Sequence, residues 1–207
     1  MFAINNQTLK NRNSLLSKLA GTTWGAQVST LRTSALALCY SVTEYCGHVW
    51  LRSSHVGLVD CQLNNAMRLI SGCVWPTQIP WLPVLANIAP PALCRRSATD
   101  KLLCNIEAHP NWPLYAYVFD HPQKRLVARR PIWADTTLVD QSVQWEEDWL
   151  SAAVGNSHLV CEPTIQQPGF DLPCHSWTLL NCFCTGQGPC RANMHKWGLV
   201  SSPVPTL

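Results

Sequence analysis

An all-α fold is predicted by three features of the 207-residue sequence. Apolar residues make up 47% of the chain and charged residues 13%, which is enough apolar material for a buried core. Apolar residues recur at steps of three and four over 29–54 and 56–71, the period of a helix that buries one face. Fifteen prolines break the remainder into short pieces. We therefore predict an antiparallel helix pair with shorter, proline-broken helices alongside and a looser C-terminal half.

The first helix of the pair, over about 29–54, is predicted from a single stripe of apolar residues. The stripe contains Leu31, Ala35, Leu38, Val42, Tyr45 and Val49. Before it, a short basic amphipathic helix is predicted, ending at Gly21. Its predicted apolar face consists of Leu9, Leu15, Leu16 and Leu19.

The second helix of the pair, over about 56–71, is predicted to end at Gly72. Its apolar face contains Val59, Leu63, Ala66, Met67 and Ile70. A brief helix over 82–88 follows, and another starts at Pro90-Pro91 and ends before Pro110. Later short helices are predicted over 143–154, 177–183 and 191–197. We divide the chain into a helical region, 1–109, and an irregular region, 110–207.

Charge is distributed unevenly along the chain. Residues 1–96 hold eight Lys and Arg against two acids, whereas residues 97–207 hold seven against ten. A basic first half favours contact with a phosphate backbone, and a solvated surface is the competing explanation. No signal peptide and no apolar stretch of about 20 residues is found, so we expect an intracellular protein, cytoplasmic or nuclear, without a membrane partner.

The sequence lacks the common motifs for catalysis and cofactor binding. No phosphate loop, nucleophile elbow or Asp-Asp pair occurs, so we predict no catalytic residue, no cofactor and no small-molecule substrate. Cys182, Cys184, Cys190 and His195 fall within fourteen positions, but their spacing fits no common zinc module. We expect free thiols there and no metal.

Several long strings of the chain resemble one family of proteins. Three of them are LKNRNSLLSKLAGTTWGAQVSTLRTSALALCYSVTEYCGHVW, WLPVLANIAPPALCRRSATDKLL and TGQGPCRANMHKWGL. They resemble the segment after the polymerase palm in non-LTR (LINE-type, jockey-like) retrotransposon reverse transcriptases, over roughly residues 9–199. The resemblance implies a thumb and post-polymerase region of an RNA-directed DNA polymerase from a transposable element. The catalytic aspartates of that family lie upstream of this region.

The chain also departs from the family pattern. Relatives continue after the KWGL-like stretch into a cysteine/histidine knuckle, whereas this chain continues as VSSPVPTL. Cysteine stands at positions 94, 174, 182 and 184, where the family pattern leads us to expect arginine. We therefore expect a non-catalytic fragment whose ancestral role was to grip the template-primer duplex.

The resemblance implies a set of basic residues that contact RNA or DNA phosphates. The leading candidates are Lys10, Arg12, Lys18, Arg32, Arg95 and Arg96. A second set is the basic run Lys124, Arg125, Arg129 and Arg130. Two alternatives stay open: a nucleic-acid-binding module retained by a host gene, and a protein-interaction scaffold. The scaffold would use exposed tryptophans such as Trp133, Trp145 and Trp149.

Overall fold

The structure is a computed structural model, and it describes residues 2–21, 25–45, 47, 51, 53–119 and 140–204. All regular structure in these ranges is helical, which confirms the predicted all-α fold. In chain order the elements are α1 (Phe2–Leu19), α2 (Val28–Ala35), a π-helical turn (Leu36–Tyr40), α3 (Ser41–Glu44), α4 (Val56–Ser71), α5 (Trp81–Ala86), α6 (Pro91–Ala108), α7 (Pro113–Phe119), α8 (Gln141–Ser151), a 3₁₀ turn (Ser157–Leu159), α9 (Cys174–Cys184) and α10 (Arg191–Lys196).

Helix α4 is the central element, and it matches its prediction closely. The five residues of the predicted apolar face are all buried. The helix ends at Gly72, which adopts a left-handed conformation with φ of 66° that glycine reaches without steric cost. Helices α1, α2 and α5 all pack against α4. The core of the first half is therefore arranged around this one helix.

The predicted stripe of the first long helix is only half right. Leu31 and Ala35 are buried as expected, but Tyr45 is 79% exposed. From the π-helical turn onward the buried residues are Cys39, Tyr40 and Thr43. A π turn accommodates one extra residue, so the inward face moves by about one position relative to an unbroken α-helix. The prediction that Tyr45 continues the stripe was wrong for this reason, whereas Leu38 is partly buried against the core. Val49 lies outside the described residues.

Helix α1 buries a narrower face than its leucines predict. Leu9 and Leu16 are fully buried, whereas Leu15 and Leu19 are exposed. Asn13 lies between the two buried leucines on the same face, and its Nδ2 donates a 2.8 Å hydrogen bond to the Gln62 carbonyl oxygen. This hydrogen bond, at the centre of the buried face, fixes the position at which α1 packs along α4.

The C-terminal half contributes to the same core as the first half. Trp145 and Trp149 of α8 are buried, and Trp149 packs edge-on to Trp81 of α5 with ring centroids 5.0 Å apart. Trp177 of α9 is also buried in this core. The division of the chain at 109/110 stays a prediction, but the hydrophobic core crosses it.

Asp140 caps the start of helix α8, and its carboxylate accepts hydrogen bonds from the backbone N–H groups of Ser142 and Val143. Among the helices that the structure describes, none combines the length and the apolar character needed to cross a bilayer.

Candidate nucleic-acid interface

Lys10 and Lys18 are two predicted contacts whose side chains are exposed. Both lie on the exposed surface of α1, eight positions apart, which places them about 12 Å apart along the helix axis. The sequence of α1 contains no acidic residue. The charged side chains on the solvent-facing side of α1 are therefore all positive, which suits a surface that binds phosphates.

Arg12 and Arg32 are half-buried, and each donates to a backbone carbonyl. Arg12 Nη1 donates to the carbonyl oxygen of Leu38, in the π-helical turn. Arg32 Nε donates to the carbonyl oxygen of Asn87 over 2.9 Å. These two arginines connect helices, and because their acceptors are neutral carbonyls they also leave the positive charge of this half uncompensated.

Arg95 is withdrawn from the candidate set, because the structure buries it against an acid. The side chain is 5% exposed and forms a two-pronged ion pair with Asp60 of α4. Nη1 lies 2.6 Å from Asp60 Oδ1, and Nη2 lies 2.9 Å from Oδ2. A guanidinium held this way does not reach solvent phosphates. Its neighbour Arg96 is exposed, with Asp100 one helical turn further along α6.

The second predicted set has no described position. Lys124, Arg125, Arg129 and Arg130 lie outside the described residues, as does Trp133.

The tryptophans proposed for a protein-interaction scaffold are in the core. Trp145 is 7% exposed and Trp149 is 3% exposed, so neither offers a surface to a partner. The scaffold prediction is corrected for these two residues, because both belong to the hydrophobic core, where Trp149 packs against Trp81 of α5.

The cysteines are single thiols in very different surroundings. Ten cysteines fall in the described ranges, and all ten are free. Burial raises the pKa of the Cys39, Cys73 and Cys94 thiols to about 11, so all three are protonated near neutral pH. Within the described ranges, no group of three or more His, Cys, Asp or Glu side chains converges as metal ligands would.

One polar cluster was not predicted from the sequence. Arg68 of α4 lies over the Trp75 ring, with Cζ 4.8 Å from the ring centroid, and lines a cavity that His175 of α9 also lines. An arginine near the end of a helix, followed by a tryptophan seven positions later, is only a weak sequence signal for such a contact. No local pattern links either residue to His175, which is at least one hundred positions away.

Comparisons with protein-family models, with curated proteins and with solved structures found no match to this chain.

Proposed function

We propose that this chain is a non-catalytic remnant of the thumb and post-polymerase region of a non-LTR retrotransposon reverse transcriptase. Its contribution is to bind the sugar-phosphate backbone of a template-primer duplex. The sequence resemblance over residues 9–199 and the all-α architecture support this proposal. The proposal assigns no chemical step to the chain, whose sequence contains no Asp-Asp pair.

The observation that carries the proposal is the charge of α1. Lys10 and Lys18 extend into solvent from a helix without acids. The first half has only two acidic residues, and one of them, Asp60, is already paired with Arg95. When cations that are not neutralised within the protein meet phosphates, the counterions held by the nucleic acid are released. This release drives binding.

The test is equilibrium binding of the full chain to a labelled RNA–DNA hybrid over a series of KCl concentrations. We expect affinity to fall steeply with salt. Lys10→Ala/Lys18→Ala should weaken binding and reduce the slope of log K against log [salt] by about 0.7–0.9 for each phosphate that the variant no longer neutralises. Neither lysine contributes to the core, so the variant should keep the helical circular dichroism of the parent.

A matched control removes the same number of charges elsewhere. Lys101→Ala/Lys196→Ala also replaces two exposed lysines, one on α6 and one on α10, that lie outside the proposed surface. The control should bind like the parent. Absence of binding, binding that does not depend on salt, or equally weakened binding by the two double variants would each contradict the proposal.

A further inference from the structure

A cavity of about 280 Å³ lies where the end of α4 meets the first turn of α9. Arg68 and Gly72 line it from one side, and His175 and Thr178 line it from the other. None of the lining residues that the structure describes carries a carboxylate. The Cys73 thiol on its wall is neutral near pH 7, because burial raises its pKa to about 11. The described walls of the cavity are therefore basic and neutral.

Arg68 is half-buried at this cavity, and it has no carboxylate partner among the described residues. One nitrogen, Nη2, donates to the Trp75 carbonyl oxygen over 3.3 Å, and the guanidinium lies against the Trp75 ring. Nε is buried and has no acceptor in the described part of the chain. Burial lowers the pKa of Arg68, which reflects the loss of water around its charge. An anion in the cavity would replace that water and supply the missing acceptor.

We propose that this cavity binds a phosphate monoester, with Arg68 and His175 as the binding side chains. The planar guanidinium matches the geometry of phosphate oxygens, and the imidazole and the Thr178 hydroxyl add further donors. The volume lies just below the roughly 300–1,000 Å³ of pockets for drug-sized ligands, which suits a small ester. Such a site goes beyond the sequence-based expectation, which included no small-molecule substrate. This site uses none of the α1 lysines, so its test is independent of the proposed binding of a duplex by α1.

The test compares two probes that differ only in the phosphate group. Isothermal titration calorimetry of the full chain with adenosine monophosphate and with adenosine should show binding of the first and at least tenfold weaker binding of the second. Arg68→Met keeps much of the packing stem but removes the charge, and should weaken binding of the monophosphate about tenfold, the loss of one charge-assisted hydrogen bond. His175→Ala changes an exposed residue and should weaken it about threefold.

Controls separate a binding site from a general charge effect or a folding defect. Lys101→Met removes one exposed charge on α6 and should leave binding unchanged. Because His175 is exposed, its variant reports on the site even if Arg68→Met disturbs the Trp75 contact. Equal affinity for the two probes, no binding of either, or unchanged affinity in both site variants would overturn the proposal.

The source of the phosphate is decided by a second pair of probes. A short single-stranded oligonucleotide with a 5′-phosphate is compared with the same strand lacking it. Tighter binding of the phosphorylated strand that disappears in Arg68→Met supports the site and assigns it to a strand end. Equal binding of the two strands, alongside preferential binding of the monophosphate, supports the site and assigns it to a free small ester.

Discussion

Four arginine side chains in the first half take three different roles. Arg95 is buried in an ion pair, Arg12 and Arg32 donate to carbonyl oxygens that belong to other segments, and Arg68 lies at a cavity. Only their surroundings separate these roles, because all four have the same charge and stem. At the scale of single residues, a positive charge in this sequence is therefore as much a structural link between helices as a binding group.

The Arg95–Asp60 pair gives a prediction about stability. Asp60→Asn removes the carboxylate charge beside the buried guanidinium and should lower the free energy of unfolding by about 3 kcal/mol, near the low end for a broken buried pair because Asp60 is partly exposed. Chemical denaturation measures this change. Arg96→Met, at the exposed neighbouring position, should change stability by less than about 0.5 kcal/mol. Equal effects of the two substitutions would show that the pair has no special role.

At the scale of elements, helix ends fix how the segments meet. Gly72 ends α4 with a positive φ, and a Cβ added there would overlap the side chain of Thr178 on α9. The same α4 end is bonded to α9 through Asn181, whose Nδ2 donates to the Ser71 carbonyl oxygen over 2.8 Å. The glycine therefore both ends one helix and permits the close approach of another.

Gly72→Ala tests that role. The left-handed backbone should cost about 1 kcal/mol for alanine, and the overlap with Thr178 should add about 1–3 kcal/mol. The matched control is Gly57→Ala in the same helix, where an added Cβ meets nothing within 4 Å. Alanine is the better helix former there, so the control should stabilise the protein by up to about 1 kcal/mol. Thermal unfolding should therefore shift in opposite directions for the two variants, and a shift in the same direction would contradict this account.

At the scale of the whole molecule, one core joins segments that are far apart in sequence. Trp177 of α9 is 1% exposed and packs edge-on to Phe170, in the same cluster as Met67 and Ile70 of α4. The two halves therefore share buried surface, and each loses part of its core without the other.

Trp177→Ala should show this dependence. Removing a buried tryptophan typically costs about 3–5 kcal/mol, and we expect a loss in that range by chemical denaturation. Native-state hydrogen exchange should show faster exchange of α4 amides as well as α9 amides. Trp112→Ala is the control, since this tryptophan is 42% exposed and stacks only on His109 among the rings described. Unchanged protection of α4 in Trp177→Ala would mean that the halves unfold independently.

The local pattern of apolar residues, glycines and prolines was sufficient to predict most of the helices. The buried face of α4, its end at Gly72 and the start of α6 at Pro90-Pro91 were all predicted from the sequence, and the structure confirms them. Each depends on residues within a few turns of one another, through helical periodicity or through the backbone preference of a single glycine or proline. The positive charge of α1, which contains basic residues and no acidic ones, is likewise a property of the sequence alone.

Tertiary structure decided what local pattern could not. The π-helical turn moved the buried stripe to Cys39 and Thr43, and packing made Arg95 a partner of Asp60 instead of a surface charge. It also brought Arg68 and His175 to one cavity. These outcomes depend on which distant segments meet, and a side chain's exposure and partners are fixed only once the surrounding helices have packed.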